Sequence, residues 1–171
     1  RLAQLVDAGT SINWQVSASG NWLLQTETAA NPDLSALPQE SYGLAGLLVN
    51  PLQLSADIGR GYKQVAVQHL QHNRRHLFAA GEHETLYSPR LSPNDKWLAV
   101  VVAEQHGLFI ELLSLENGKR QRLPQRLNAV MGIQFQWLAD SSGLIAATAP
   151  AVVSNLSPVK VLQPKIQETT G

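Results

Sequence analysis

The sequence contains no cysteine, a single methionine and few aromatic residues, which make up 6% of its 171 positions. The absence of cysteine excludes a disulfide framework, a thiolate zinc site and a cysteine nucleophile, and it leaves the redox compartment open. Charge of one sign is not in excess either, because 13 Lys and Arg residues balance 13 Asp and Glu residues. Since nucleic acids and anionic membranes attract basic surfaces, we expect neither as a partner.

Long apolar runs are missing as well. The longest run, residues 97–103, is far shorter than the ~20 residues that span a bilayer. Residues 1–4 do not form the charged and then apolar pattern of a signal peptide. The sequence therefore predicts no membrane anchor, and a start without Met indicates a processed protein or a fragment.

The apolar residues that are present suffice for a folded core, since 44% of the chain is hydrophobic and 15% is charged. A length of 171 residues fits one domain, because about 100 to 200 residues is the usual domain size. Short apolar or alternating runs are separated by Gly, Pro, Asn, Asp and Ser, and helical spacing of apolar residues is rarely sustained. This texture predicts an all-β fold.

The clearest local pattern lies between residues 90 and 123. Residues 96–103 and 108–115 are predicted strands, and a third strand follows Asn117-Gly118. This dipeptide is typical of the two-residue type I′ hairpin turn, in which both residues have positive φ. The first of these strands has apolar residues on both of its faces, so we expect other parts of the protein to cover each face.

A weak internal repeat suggests what covers those faces. Segments that start at residues 16, 91 and 137, and are therefore 75 and 46 residues apart, share one frame. Each has an apolar residue, small residues, a polar turn, and then Trp-Leu or Gly-Leu at the start of a strand. A step of 46 residues fits one blade of a β-propeller, whose repeats run about 40 to 50 residues with four strands each.

The predicted fold is thus an all-β, partial β-propeller of about three blades, each an antiparallel four-stranded sheet. It occupies residues 1–150, with units near 11–80, 87–123 and 132–150 and an insertion at 30–41. Residues 151–171 are predicted to be a linker or a crossover to a missing blade. Because closed propellers have about four to eight blades, three units form only an arc.

A set of segments occurs in a recognisable order: 44–51, 59–62, 91–123, 127–130 with 135–137, and 163–168. Together they are similar to the N-terminal β-propeller of bacterial prolyl oligopeptidase family serine peptidases, including the glutamyl endopeptidase-like branch. Some positions depart from the family pattern: Leu48 stands where the family usually has Arg, and Asn94-Asp95 replaces Asp-Gly. The segment Gly59-Arg60-Gly61-Tyr62 is an altered form of the family's Ser-Arg-x-x-x-Tyr motif.

The resemblance implies a noncatalytic propeller segment that gates or positions peptide substrates for an α/β-hydrolase domain absent from this chain. Its expected partners are that C-terminal domain of the same parent chain and the peptide. No catalytic, metal or cofactor-binding residue is expected, the substrate-binding residues are unknown, and no cofactor is implied. A nucleophile elbow needs Gly-x-Ser-x-Gly, and the segments around Ser11 and Ser141 each supply only one glycine. The resemblance also implies a periplasmic or secreted location, with a cytoplasmic one as the alternative.

Three histidines, His69, His72 and His76, invite a metal-binding interpretation, since imidazole is a common ligand. The geometry of a strand over residues 62–70 favours a structural interpretation instead, because only His69 belongs to that strand. His72, His76 and the intervening Asn73-Arg74-Arg75 are predicted to form a solvated turn, in which the arginines repel a cation. As an alternative, the Arg pair forms a charged rim at a peptide entrance.

Other candidate residues favour structural roles. The four tryptophans could form an aromatic platform for a ligand, but their repeated placement favours core packing. Asp57, Glu82 and Glu84 have no spacing that indicates acid and base chemistry, and the sequon at Asn155 is a weak glycosylation signal beside Pro158. The four tryptophans are Trp14, Trp22, Trp97 and Trp137.

A second function stays open at this point: a stand-alone interaction module, a scaffold-type or TolB-like propeller piece that binds another protein. An incomplete propeller exposes an edge strand and a blade face, and both favour pairing with a partner. For the same reason we expect the isolated chain to associate with itself, since its zero net charge gives no repulsion.

Overall fold

The computed structural model describes residues 11–28, 42–44, 46–56 and 58–150. Within these ranges the chain forms twelve β-strands and no helix, which confirms the all-β prediction. None of these described segments is a helix long and apolar enough to cross a membrane. The strands are β1 Ser11–Val16, β2 Trp22–Thr28, β3 Tyr42–Leu44, β4 Leu47–Val49, β5 Tyr62–His69, β6 Arg75–Ala79, β7 Thr85–Leu91, β8 Trp97–Glu104, β9 Gly107–Ser114, β10 Arg120–Arg126, β11 Phe135–Trp137 and β12 Leu144–Ala146.

All strand pairs are antiparallel, and the strands group into three units. Unit A has the order β1-β2-β5-β6, and unit B has the order β7-β8-β9-β10. One residue pair, Tyr62 and Leu86, connects β5 to β7 and so joins the two units in a single sheet. Unit C is the hairpin β11-β12, and the hairpin β3-β4 lies in the connection between β2 and β5. No sheet in the described residues closes on itself.

The number of strands per unit is only partly as predicted. Units A and B have the expected four antiparallel strands, whereas the described part of unit C has two. The predicted insertion at 30–41 and the predicted linker at 151–171 lie outside the described residues.

The repeat predicted from the sequence is confirmed in the first turn of each unit. Each turn has six residues. In all three turns the N–H of the first residue donates to the carbonyl of the sixth, and the N–H of the fourth residue donates to the carbonyl of the first, at distances of 2.8 to 3.0 Å. The fourth residue always has positive φ, between 56° and 77°. The first, fourth and sixth residues are Ser17, Gly20 and Trp22 in unit A, Ser92, Asp95 and Trp97 in unit B, and Leu138, Ser141 and Gly143 in unit C.

Serine at the first position explains why the turn recurs in units A and B. The Ser17 hydroxyl accepts a hydrogen bond from the Trp22 N–H at 3.2 Å, and the Ser92 hydroxyl accepts one from the Trp97 N–H at 3.0 Å. Both serines are buried, so each hydroxyl satisfies a backbone donor that water does not reach. The turn therefore sets the start of β2 and of β8 in the same way.

The units stack face to face. Alternation along each strand gives a unit two faces, and we call the face toward the next unit its forward face and the other its back face. The forward face of A and the back face of B enclose one apolar core, formed by Trp22, Leu24, Val65, Val67, Phe78, Leu86, Leu98, Val100, Val102, Leu113 and Leu115. The forward face of B and the back face of C enclose a second one, with Ala99, Val101, Leu108, Ile110 and Phe135 among its members.

Burial on both faces explains the unbroken apolar run of β8. Its inner residues are 0% exposed from Leu98 to Val102, and they alternate between the two cores. The prediction that this sheet is covered on each side is confirmed. Because burying one such side chain contributes about 1.5 to 3 kcal/mol, the contacts between units are a main source of stability.

The turn between β9 and β10 differs from the predicted type I′ turn. Gly118 has the expected positive φ of 72°, but Asn117 does not share it. The loop is longer than two residues, since Ser114 N–H donates to Lys119 O and Gly118 N–H donates to Ser114 O, both at 2.9 Å. The Leu115 N–H is bonded to Lys96 O at 2.9 Å. This contact with the preceding turn holds the loop open and explains why the turn is not of type I′.

Candidate functional site

The repeated turns lie side by side and bond to one another. Ser17 Oγ donates to Asp95 Oδ2 at 3.0 Å, and Ser19 Oγ donates to the same oxygen. The Asn94 N–H in turn donates to Ser141 Oγ at 3.0 Å. In both contacts the side chain at the positive-φ position, Asp95 or Ser141, bonds to the preceding turn. The three turns thus form a polar ladder along one edge of the stack, defined by these five residues.

Asp95 combines two functions in this ladder. Aspartate tolerates positive φ better than most residues, so it can occupy the strained position of the turn at φ 56°. Its carboxylate reaches unit A, but its buried Oδ1 has no hydrogen-bond partner among the described residues. Asp95 therefore connects units A and B.

A shallow cleft of about 330 Å³ opens between units A and B. Its volume is near the lower end of the roughly 300 to 1,000 Å³ of small-molecule sites. No residue of its lining carries a charge, and the lining combines amide and hydroxyl residues with apolar ones. The lining residues are Asn13, Trp14, Gln15, Leu24, Thr26, Tyr62, Ser88 and Pro89.

An irregularity in β7 shapes one wall of this cleft. The pairing of β7 with β8 shifts between Tyr87 and Arg90, and Ser88 has a positive φ of 46°. Such a bulge bends the strand and turns side chains away from the regular ladder. The amide and hydroxyl groups beside this irregular strand can donate and accept hydrogen bonds.

The histidine-rich segment is placed mostly as predicted, with one correction. His69 ends β5 and is half-buried, while His72, Arg74 and Arg75 are exposed. His76 does not belong to the turn: it lies in β6, where it pairs with Val67, and its Nε2 is 3.0 Å from Leu115 O of unit B. The turn is shorter than predicted because β6 resumes pairing with β5 at Arg75.

Ring contacts and hydrogen bonds organise these histidines. The rings of His69 and His72 are 4.5 Å apart, and Trp22 contacts His69 edge-on at 4.8 Å. His69 Nδ1 accepts hydrogen bonds from Gln71 N–H at 3.1 Å and from His72 N–H at 3.2 Å. The residues that the structure describes include no cluster of three or more His, Cys, Asp or Glu suited to a metal ion.

An ion-pair network on the back face of unit B was missed by the sequence analysis. Glu111, on β9, is only 8% exposed and accepts bonds from Arg120 Nη2 at 2.8 Å and Arg122 Nε at 2.9 Å. Arg122 also pairs with Glu104 and, at 3.5 Å, with Glu84. The two-residue turn predicted at Asn117-Gly118 would set Arg122 opposite Leu113, on the same face as Glu111. The longer loop shifts the register by two residues and sets Arg122 opposite Glu111.

The network connects unit B to unit A. The Arg120 guanidinium lies 3.7 Å from the centroid of the Phe78 ring, which belongs to the buried forward face of unit A. Burial lowers the pKa of Arg122, but the hydrogen bonds and charges of Glu111 and Glu104 outweigh burial and raise it overall. Glu84, which had no assigned role, thus has a structural contact, and Glu82 is exposed.

The tryptophans divide into two groups. Trp22 is buried, and Trp97 and Trp137 are half-buried, in line with the predicted core packing. Trp14 is the exception, because its side chain is 58% exposed. It lies on β1 opposite Gln25, on the back face of unit A, which no described unit covers.

Neither candidate serine forms a nucleophile elbow in the described chain. Ser11 begins the exposed strand β1. Ser141 does have a positive φ of 61°, but it lies between two strands and its hydroxyl accepts the Asn94 N–H. Neighbouring Asp140 accepts bonds from Ser142 N–H and Oγ, which lower its pKa. Asp57 and the sequon at Asn155 lie outside the described residues.

Two of the segments that carry the family resemblance meet in the structure. Ala129, from segment 127–130, forms a parallel bridge with Ser55, and Ser55 bridges to Asn50 of segment 44–51. The Ala129 N–H donates to Leu54 O at 2.8 Å. Leu48, which replaces the family's Arg, is 68% exposed. No protein-family model matches the chain, and no curated protein matches it either.

Proposed function

We propose that this chain is a noncatalytic arc of a β-propeller, in which repeated antiparallel units stack around an axis. The observation that carries the proposal is the turn frame at residues 17, 92 and 138, which recurs with the same hydrogen bonds and the same positive φ. Forward-on-back packing of consecutive units supports it, because propeller blades contact each other in this manner. Such an arc is a scaffold, and its function lies in its faces, edges and clefts.

We further propose that the arc belongs to a serine peptidase of the prolyl oligopeptidase family. This proposal is supported by the resemblance of segments 44–51, 91–123 and 127–130, which occur in the family's order. In that role the arc would restrict the size of substrates and hold part of a peptide for a catalytic α/β-hydrolase domain encoded further along. The same resemblance favours a periplasmic or secreted location.

The cleft between units A and B is the candidate contact for the peptide. Asn13 and Gln15 offer amide donors and acceptors for a peptide backbone, and Tyr62 and Pro89 offer apolar surface for its side chains. The polar ladder lies across the same pair of units, since Ser17 and Asp95 connect them. Loosening this connection would widen the path of the peptide.

The experiment that tests the peptidase proposal is to follow the reading frame beyond codon 171. We expect a Gly-x-Ser-x-Gly segment downstream, followed by an Asp and then a His. A fluorophosphonate probe should label the longer protein but not the 171-residue chain. A reading frame that ends without these motifs contradicts the proposal. Labelling of the 171-residue chain also contradicts it if Ser11→Ala or Ser141→Ala abolishes that labelling.

In the longer protein, Asp95→Ala tests the gating function. We expect it to raise the cleavage of long peptides relative to short ones, because it removes the two hydroxyl contacts with unit A. The matched control is Asp140→Ala, whose carboxylate bonds to Ser142 within its own turn. An unchanged size preference in Asp95→Ala contradicts gating at this contact.

A stand-alone interaction module is the second candidate function, and the exposed back face of unit A favours it. Ile12, Trp14 and Val16 present three apolar side chains on one face of β1, each about half exposed. A reading frame without a hydrolase domain, together with a bound partner on this face, would favour the module over the peptidase.

A further inference from the structure

Four asparagines of the described residues share one local geometry. In each, the side-chain Oδ1 atom accepts the N–H of the residue two positions later, which holds the side-chain amide beside the backbone nitrogen of the residue between them. The four bonds are Leu52 N–H to Asn50 at 2.9 Å, Lys96 N–H to Asn94 at 3.1 Å, Lys119 N–H to Asn117 at 2.9 Å and Val130 N–H to Asn128 at 3.2 Å. The four positions therefore differ in the residue that supplies the intervening nitrogen.

A backbone nitrogen in this place can attack the side-chain carbonyl carbon, Cγ. A bond forms between the nitrogen and Cγ, the bond between Cγ and Nδ2 breaks, and ammonia leaves with the proton of the backbone nitrogen. Water then opens the resulting succinimide ring at either carbonyl, which gives aspartate or, with one more carbon atom in the backbone, isoaspartate. Asparagine is thermolabile for this reason, and the reaction needs a nitrogen that carries a proton and reaches Cγ.

The residue after the asparagine favours the reaction at one position only. Pro51 has no N–H and cannot attack. Asp95 and Ala129 each carry a Cβ atom that crowds the nitrogen, and Ala129 is also 0% exposed. Gly118 has no side chain, so its nitrogen can approach Cγ most closely. Asn117, whose amide it would attack, is exposed at the tip of its loop.

A hydrogen bond restrains the Gly118 nitrogen in the folded loop. The Gly118 N–H donates to Ser114 O at 2.9 Å, and it must leave this acceptor before it attacks. The Ala129 N–H is engaged as well, but its acceptor, Leu54 O at 2.8 Å, belongs to a distant segment. Because the bond of Gly118 lies within a single loop, it can break in a local opening that leaves the strands paired.

Unit A holds the base of this loop. Leu115 is 1% exposed, and its carbonyl oxygen accepts His76 Nε2 at 3.0 Å and Arg74 Nη1 at 3.5 Å. His76 Nδ1 lies 3.3 Å from the place that a Cβ atom on Gly118 would occupy, so the imidazole ring covers one side of Gly118. The contact between units A and B therefore opposes the opening that would release the Gly118 nitrogen.

We propose that Asn117 is a site of spontaneous covalent modification, at which attack by the Gly118 nitrogen produces aspartate or isoaspartate. The contact of the loop with His76 sets the rate, because the nitrogen reacts only when the loop opens. This inference depends neither on the propeller arc nor on the peptidase assignment.

The test of the site is to incubate the 171-residue chain in mildly alkaline buffer and to map the products by peptide mass spectrometry. Water labelled with heavy oxygen marks each position that hydrolysis converts, and an isoaspartyl methyltransferase identifies isoaspartate. We expect Asn117 to convert at least about tenfold faster than Asn94 and Asn128, because of these three only Asn117 precedes a residue without Cβ. Equal rates at the three positions overturn the assignment.

Gly118→Ala tests the effect of the missing side chain. In guanidinium chloride, where the loop is open in every chain, the variant should convert Asn117 at least about tenfold more slowly than the wild type. This comparison uses unfolded chains, so it does not depend on whether the variant folds. Equal rates in the denaturant contradict the chemical basis of the proposal.

The restraint by unit A is tested first on the wild type, which should convert Asn117 more slowly in native buffer than in guanidinium chloride. Equal rates in the two solvents overturn the restraint. In native buffer His76→Ala should raise the rate at Asn117 several-fold and leave the rate at Asn128 unchanged, and His83→Ala, at an exposed loop position, is the matched control. An unchanged rate at Asn117, or an equal rise at Asn128, contradicts a local restraint by His76.

The two products should differ in their effect on the protein. A carboxylate at position 117 can still accept the Lys119 N–H, so Asn117→Asp should keep the melting temperature of the wild type. The additional backbone carbon of isoaspartate lengthens the loop where Gly118 lies against His76. The isoaspartate form, separated by ion-exchange chromatography, should melt at a lower temperature than Asn117→Asp. Equal melting temperatures contradict a link between this modification and the contact between units.

Discussion

Ser17 Oγ donates a 3.0 Å hydrogen bond to Asp95 Oδ2 across 78 positions of the sequence. Both residues belong to the repeated turn that opens a unit, so the bond joins equivalent turns of units A and B. Ser17 also accepts the Trp22 N–H within its own turn. One hydroxyl therefore sets the local turn and the spacing between units.

Replacing Asp95 should destabilise the protein by a measurable amount. Asp95→Ala removes an acceptor of two hydroxyl bonds, and a hydrogen bond to a charged group contributes about 1.5 to 3 kcal/mol. It also places alanine at φ 56°, where an L-residue other than Gly, Asn or Asp pays about 1 to 2 kcal/mol. We expect the free energy of unfolding, measured in urea, to fall by about 2 to 4 kcal/mol.

Asp95→Gly separates the two causes. Glycine accepts positive φ without strain, so this variant loses the bonds to Ser17 and Ser19 but not the backbone preference. It should be less destabilised than Asp95→Ala by about 1 kcal/mol. Equal stability of wild type and Asp95→Gly would mean that the polar ladder does not hold the units together.

Gly118→Val should destabilise the chain by roughly 1 kcal/mol or more, because a β-branched residue fits poorly at positive φ. Gly118 has φ 72°, and a Cβ there would lie 3.3 Å from His76 Nδ1 of unit A. Gly132→Val is the matched control, since Gly132 has φ 89° and no atom within 4 Å of its Cβ position. We expect the melting temperature to fall further in Gly118→Val than in Gly132→Val, and the difference measures the contact between units.

The fold was predictable where local patterns decide it. The frame around Trp22 and Trp97 gave the position of the repeated turn, and the alternation in β8 predicted apolar contacts on both of its faces. The two-residue turn predicted at Asn117-Gly118 also places Arg122 and Glu111 on the same face, although the longer loop that forms shifts their register by two residues. These features depend on neighbours in the chain or on strand periodicity, which the sequence carries.

Contacts that depend on how the units stack were not predictable. The bond between Ser17 and Asp95 exists only because two distant turns lie side by side. Trp14, in an alternating apolar strand, has the pattern of a buried residue, and it is exposed because no described unit covers the back face of unit A. The loop around Asn117 departs from type I′ because Leu115 bonds to the neighbouring turn.

Glu111→Gln should reduce stability by about 2 kcal/mol, because it removes the negative charge and one of the two acceptor oxygens that two arginines share. The side chain of Glu111 is largely buried and accepts three N–H groups, two from Arg120 and one from Arg122. Glu84→Gln is the matched control: its contact with Arg122 is longer, at 3.5 Å, and such exposed pairs contribute about 1 kcal/mol or less. Equal urea midpoints for the two variants contradict a specific contribution of the buried carboxylate.

The stability of the chain should fall as the pH drops below neutrality, in part because of His69. Burial, together with the nearby His72 and Arg74, lowers the pKa of His69, and Asp95 opposes this shift. A histidine with a lowered pKa binds fewer protons when folded than when unfolded. Protonation then favours the unfolded chain once the pH falls below the ordinary histidine value of about 6.5.

His69→Asn tests this prediction through the pH dependence of stability, since it removes the titrating ring together with its contacts to Trp22 and His72. The Asn Oδ1 atom can accept the Gln71 and His72 N–H groups that His69 Nδ1 accepts, but it does not titrate. Between pH 7.5 and 5.5 the urea midpoint of this variant should fall less than that of the wild type. His83→Asn, at an exposed loop position, is the control and should keep the wild-type dependence. If His69→Asn and the wild type lose the same stability over this interval, another group causes the pH dependence.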